Sequence, residues 1–260
     1  MKNYPVMYSN TYTTPENAKG FLSSLFPSAA FYPSMAKIAF CANREAQQGK
    51  SSDQAWVKAS LDIINALERV GVSLSFENIS AFTELDSPCV FIGNHMSTLE
   101  TFVLPAIIQP HKAVTFVIKS SLLTYPFFGD LMASRDPIAV ERTNPREDLK
   151  TVLNEGCEKI SQGKSIIVFP QSTRSTEFDR KKFNSIGVKL AKKAGVPIVP
   201  LALKTDSWGH SKLGKEFGPI DISKKVHFAF DAPITVEGNG KEAHASVCNF
   251  IENSLGNWSK

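Results

Sequence analysis

From about residue 89 onward the chain alternates short apolar runs with stretches of helical spacing. That alternation restricts its fold more than any other feature. Ser-Ile-Ile-Val-Phe at 165–169 and Val-Pro-Ile-Val-Pro-Leu-Ala-Leu at 196–203 have no polar residue on alternate positions, so both their faces need cover. Further strands are predicted at 89–93, 113–118, 137–140 and 226–230, and helices at 98–108, 146–162, 186–194 and 242–255, with Gly195 closing the third helix. Strands that alternate with helices need crossover connections. The expected fold is α/β, a mostly parallel mixed sheet flanked by helices. Upstream, Trp56, Ser60, Ile63, Leu67 and Val70 fall at three- and four-residue spacing, so residues 52–70 read as an amphipathic helix stopped by Gly71. Residues 72–76 alternate as a half-buried strand would. The division expected is an N-terminal helical segment over 1–71 and an α/β domain over 72–260. No internal repeat interrupts it.

Residues 21–40, FLSSLFPSAAFYPSMAKIAF, are rich in Phe and Leu but broken by Pro27, Pro33, several Ser and Lys37. Two readings fit: a segment lying in a membrane interface, or a helical hairpin packed on the core. No stretch has the roughly 18 consecutive apolar residues a spanning helix needs. The first ten residues lack a charged region followed by an apolar one, so no secretory leader is expected. Lys and Arg number 29 against 25 Asp and Glu, a formal net charge of +4. That excess is too small for a dedicated nucleic-acid binder, though it leaves room for a basic patch facing anionic lipid or phosphate. Cys41, Cys89, Cys157 and Cys248 are far apart and form no C-x-x-C pair, so they read as reduced thiols in a cytosolic setting, with no metal expected. Gly163-Lys164-Ser165 looks like the end of a phosphate loop. The glycine five residues earlier is missing, however, since Glu158 stands there, so the tripeptide reads as a turn.

The strand at 89–93 runs directly into Asn94-His95-Met96-Ser97-Thr98-Leu99-Glu100. Five residues rotate a helix by about 500°, so His95 and Glu100 cannot share one helical face. They can meet if His95 lies in the loop and Glu100 in the first helical turn. The carboxylate would then fix the imidazole tautomer, and the imidazole could take a proton from a hydroxyl attacking an acyl carbonyl. Ser97-x-x-Glu100 is also a capping box. The two roles are compatible, with one carboxylate oxygen serving each.

At this point the chain resembles the glycerolipid acyltransferase family, the 1-acylglycerol-3-phosphate acyltransferases and their relatives. Four blocks carry the resemblance, in order. Asn94-His95-x4-Glu100 is similar to N-H-x4-D. Lys119, then Tyr125-Pro126-Phe127-Phe128-Gly129 and Ile138-Ala139-Val140-Glu141-Arg142, is similar to a P-F-F-G stretch followed by a strand ending in Arg. Phe169-Pro170-Gln171-Ser172-Thr173-Arg174-Ser175 is similar to F-P-E-G-T-R-S, and Val196-Pro197-Ile198-Val199-Pro200 to V-P-I-V-P. The resemblance implies acyl transfer from acyl-CoA or acyl carrier protein to the hydroxyl of a lysophospholipid acceptor, with 1-acylglycerol-3-phosphate giving phosphatidic acid. It implies His95 as general base, Glu100 as its partner, and acceptor binding by Lys119, Arg142, Gln171, Ser172, Thr173 and Arg174. It implies no cofactor beyond the donor and peripheral contact with membrane lipid on the cytoplasmic face. A guanidinium fork suits phosphate, in agreement with the two arginines; without the blocks each would read as a surface ion pair. Thr173 fits either a phosphate donor or a turn cap.

Three departures stand out. Glu100 replaces Asp, as in related lipid A acyltransferases. Gln171-Ser172 replaces Glu-Gly. The family's F-K-K-G reads Phe183-Asn184-Ser185-Ile186 here, with Lys181 and Lys182 just upstream as substitutes. The acceptor side is therefore altered more than the base. That motivates two alternatives: another acceptor, such as a lyso-ornithine lipid, another lysolipid or an alcohol, and a non-catalytic lipid-binding relative.

Overall fold

The computed structural model describes residues 9–126, 128–171, 173–211 and 217–259. Phe127 and Ser172, both named above, lie outside the described residues, as do residues 1–8 of the stretch read for a leader. The strands are β1 (Tyr12–Thr13), β2 (Leu74–Glu77), β3 (Val90–Gly93), β4 (Val114–Lys119), β5 (Ile138–Val140), β6 (Ser165–Val168), β7 (Ile198–Lys204) and β8 (Val226–Phe230). They form one sheet in the order β1-β2-β8-β7-β3-β6-β4-β5. The run β7-β3-β6-β4-β5 is parallel throughout. β8 is antiparallel to β7, β2 parallel to β8, and β1 antiparallel to β2. The sheet is thus mostly parallel and mixed, as the alternation predicts.

The central strands are apolar throughout because successive side chains feed two separate cores. Phe91, Ile167, Val199 and Leu201 point to one, shared with α1 (Pro27–Gln47), α2 (Asp53–Arg69) and α4 (Leu99–Ile108). Val90, Ile92, Ile166, Val168 and Ile198 point to the other, shared with α6 (Pro145–Ser161), α7 (Ile186–Ala194) and α8 (Lys241–Trp258). A period of two delivers both sets from the same five-residue runs. Two short helices, α3 (Ser80–Thr83) and α5 (Gly129–Ala133), complete the chain. Gly195 ends α7 in the left-handed region at φ 68°, where a glycine carries no Cβ penalty. Gly163 turns between α6 and β6 at φ 88°, and Lys164 pairs with Asp136 at 2.8 Å, so the phosphate-loop lookalike is a turn.

The helix over 52–70 forms as α2. Ser52 caps it by accepting the Ala55 N–H at 3.1 Å, and all five residues of the stripe are buried. Residues 21–40 differ from expectation in one respect: Pro33 does not break the chain, and α1 runs through it. Phe31, Met35 and Ala39 anchor the buried face while Pro33 sits exposed on the other. The missing N–H therefore costs the least buried side of the helix, and packing overrides the local penalty. α1 and α2 form a hairpin whose inner face shares a core with β3, β4 and α4.

Candidate active site

Parallel strands all point their carboxyl ends to one edge, and each central strand delivers polar residues there. β3 leads into Asn94 and His95, β4 ends in Lys119, β5 leads to Arg142, β6 to Gln171, Thr173 and Arg174, and β7 to Thr205. The β3 end is built tightly. A Cβ on Gly93 would lie 3.0 Å from the Leu201 carbonyl oxygen. Buried Asn94 then mimics a strand rung, donating to Leu203 O at 2.7 Å and accepting from Leu203 N at 2.8 Å. The loop that follows is held before His95 begins.

His95 lies in that loop and Glu100 in the first turn of α4, the arrangement the spacing requires. Their contact is 2.8 Å, between Nδ1 and Oε1. Glu100 is fully buried. Oε1 also accepts the N–H groups of Met96, at 2.7 Å, and Ser97, at 3.0 Å. Oε2 accepts the Ser97 N–H at 3.1 Å, its hydroxyl at 3.0 Å and the Thr205 hydroxyl at 2.6 Å. Partner and cap are therefore one group. The two oxygens do not divide the roles as the capping-box reading expects, because Oε1 serves both. Burial pushes the Glu100 carboxyl up, but the hydrogen bond and charge of His95 outweigh it, with Thr205 and a backbone amide assisting. The net effect holds the group below the usual carboxylate range. An ionised carboxylate can only accept, so Nδ1 is the donor in this contact, and in the neutral imidazole that leaves the lone pair on Nε2.

The His95 ring stacks on Phe169, with centroids 4.6 Å apart and planes within 6°. About 15% of its side chain remains open, and that opening faces a 440 Å³ cavity. The cavity has two characters. His95, Thr98, Lys119, Arg142, Thr173 and Arg174 bring polar and cationic groups to its lining. Met35 and Ala39 of α1, Trp56 and Ile63 of α2, Phe102 of α4, and Phe128, Leu131, Met132 and Trp208 bring apolar ones. Arg174 hydrogen-bonds to Thr98 Oγ1, which ties the third block to the first. Arg142 takes φ 62°, a left-handed backbone that costs an arginine roughly 1 kcal/mol or more. Burial lowers its guanidinium below the ordinary value, Asp148 offsets part of this, and nearby Arg174 adds to it. Two guanidinium groups thus sit close enough to feel each other beside His95.

Of the sequence candidates, His95, Glu100, Lys119, Arg142, Thr173 and Arg174 come together, Glu100 from behind the wall. Gln171 does not line the cavity; its side chain is buried and faces the His95 backbone. Lys181 and Lys182 lie on an exposed turn and are not among the residues lining the cavity. Asn184 instead donates to the Pro170 carbonyl oxygen. Thr205 is the supporting residue that sequence reasoning did not single out, while Ser97 entered only as a capping-box residue and Phe169 only as part of the third block. Thr205 carried one usable signal, its position at a strand's carboxyl end.

Comparisons with known proteins bear on the family and the fold. The profile of the family described as Acyltransferase matches residues 73–204, which hold His95, Glu100, both arginines and Gln171. A 1-acyl-sn-glycerol-3-phosphate acyltransferase of Pseudomonas aeruginosa is 32% identical over 184 residues, covering 70% of each chain. One of Saccharomyces cerevisiae is 36% identical over 123 residues, 46% of this chain and 40% of that protein. The crystal structure of PlsC, the 1-acyl-sn-glycerophosphate (LPA) acyltransferase of Thermotoga maritima, superposes with a TM-score of 0.66. It covers 92% of this chain and 97% of its own, at 18% identity, a likeness of fold. With the family profile spanning half the sequence and a relative matched along most of its length, the chain belongs to the acyltransferase family.

Proposed function

We propose that this protein transfers a fatty acyl group from acyl-CoA or acyl carrier protein to the free hydroxyl of 1-acylglycerol-3-phosphate. One observation carries the reading: the His95–Glu100 pair opens on a cavity whose lining combines three cations, Lys119, Arg142 and Arg174, with many apolar side chains, the chemistry a phosphate-bearing lipid needs. The substrates named for the Pseudomonas relative support the same acceptor. His95 Nε2 takes the hydroxyl proton as the oxygen attacks the thioester carbonyl. The tetrahedral adduct collapses, the carbon–sulfur bond breaks, and the imidazolium returns its proton to the leaving thiolate. Arg142 and Arg174 hold the acceptor phosphate, with Lys119 and Thr173 at the rim, while acyl chains lie between α1, α2 and α4. The test combines purified protein, a fixed acyl-CoA and a panel of lysolipids, read by mass spectrometry. Phosphatidic acid and free thiol in equal amounts are expected. Thiol release independent of any acceptor would defeat the reading.

The arginine roles make a separate expectation. Charge-assisted bonds to phosphate contribute about 1.5–3 kcal/mol each. Arg174→Ala and Arg142→Ala should each raise the KM for lysophosphatidic acid roughly 10- to 100-fold while leaving a neutral acyl acceptor little changed. Equal effects on both acceptors would take the phosphate away from these residues.

The second element of the proposal is peripheral docking on lipid through α1 and the turn before it. Among the described residues no helix is long and apolar enough to cross a membrane. Yet Phe21, Leu22, Leu25 and Phe26 are largely exposed, and Phe40 continues them two turns beyond exposed Pro33. Lys37 and Arg44 flank this stripe, a composition suited to an anionic interface. Phe217 and Leu122, also exposed, belong to the cavity lining, so the cavity too carries exposed apolar groups. A variant with Phe21, Phe26 and Phe40 all changed to Ser should float with anionic liposomes at less than about one tenth of the wild-type fraction. Equal flotation would remove the anchor from α1.

A further inference from the structure

Gln171 stands where the resemblance puts an acceptor-binding residue, but its geometry serves something else. Its Oε1 accepts the backbone N–H of His95 at 2.6 Å, and only 6% of the residue is exposed. A backbone N–H can only donate, so the amide oxygen is the atom facing it. Four residues further along the same loop, the Ser175 N–H donates to the His95 carbonyl oxygen at 3.0 Å. The β6 loop therefore clamps the His95 peptide at both ends, while Phe169 stacks on its ring and Glu100 holds Nδ1. The N–H groups of residues 95, 96 and 97 are shared out in turn, the first to Gln171 and the next two to Glu100.

We infer that Gln171 is a positioning residue that orients His95 through its backbone, and that it does not contact the acceptor. Its amide keeps the hydrogen-bond acceptor that a glutamate would provide, without burying a second carboxylate beside Glu100. The substitution of Gln for Glu in the third block is then a change in the support of the base, and phosphate binding is left to the arginines. The inference rests on the acyl-transfer reading above and adds a separable claim to it.

The test is a KM-against-kcat split with acyl-CoA and lysophosphatidic acid. Gln171→Leu keeps the volume and removes the acceptor oxygen. It should lower kcat about 10- to 100-fold, the effect of loosening an aligned base, with both KM values within about twofold. Gln171→Glu restores an acceptor and should recover kcat to within about threefold of wild type. Gln171→Met, a flexible filler of similar size, is the second variant should the Leu protein not fold, with the same loss expected. A folded Leu or Met variant with wild-type kcat overturns the inference. So does a loss carried by the acceptor KM alone, which would return Gln171 to the headgroup. Wild-type protein with no transfer to any lysolipid removes both the inference and the reading beneath it. An active wild type with an indifferent Gln171 removes only the inference.

Discussion

His95→Ala is expected to lower turnover at least about a hundredfold while the protein still folds, with a thermal midpoint that falls less than it does in Glu100→Ala. The first half follows from the general-base role, which contributes about 10²- to 10⁴-fold in enzymes of this kind of chemistry. The second follows from the packing and from the partners Glu100 keeps when His95 is removed, the Met96 and Ser97 amides and the Thr205 hydroxyl. The ring stacks on Phe169 and borders the cavity, so its removal enlarges a space that already exists and opens no sealed core void. The Asn94 rung and the Gln171 and Ser175 clamps on the peptide do not depend on the imidazole. Steady-state rates with acyl-CoA and lysophosphatidic acid, paired with a melting curve, check both halves. Near-normal turnover in a folded variant would remove the mechanism.

Replacing Glu100 should do damage of two kinds at once. Glu100→Ala strips the partner from His95 Nδ1, from the Met96 and Ser97 amides and from the Thr205 hydroxyl, most of them buried. Breaking a buried charged network this way costs about 3–5 kcal/mol. That corresponds to a melting point lower by about 6–10 °C. Glu100→Gln keeps the volume, loses the charge and should cut kcat roughly a thousandfold by releasing the imidazole tautomer. The pH dependence has a definite sign. The native carboxyl is held below the range it has in the unfolded chain. Its stabilisation is therefore complete above about pH 4.3, the ordinary glutamate value, and is lost as pH falls through the native value. The melting-point gap between wild type and Glu100→Gln should narrow as pH falls below about 4. A gap that widens on acidification would contradict the ionised carboxylate.

Much of the architecture was legible because the sheet's central strands advertise themselves. Two-faced burial demands unbroken apolar runs, and SIIVF and VPIVPLAL supply them. β8 is antiparallel to β7, a detail that no local pattern reports, since a strand's direction depends on where the chain returns. α1 was harder. Pro33 argues for a break, and only the anchoring of Phe31 and Met35 on the core decides for continuity. Within the site, the His95–Glu100 spacing could be turned into a geometry because both residues lie on one short stretch. Gln171 was legible as a departure but not as a contact. Its partner is 76 residues away, and an amide oxygen at a loop position suits a headgroup as well as a backbone.

Chain order and residue pattern were enough for the α/β alternation, the collection of polar residues at strand ends, and the pairing of His95 with Glu100. Each of these follows from periodicity or from the reach of a few residues. Three further facts needed the folded chain: which residues share the cavity, that Thr205 bonds to Glu100 and Gln171 to the His95 backbone, and that Phe21, Phe26 and Phe40 stay exposed while Phe31 and Met35 go to the core. The reason is physical. These facts are contacts between segments tens to more than a hundred residues apart, brought together by burial that no single segment can complete alone.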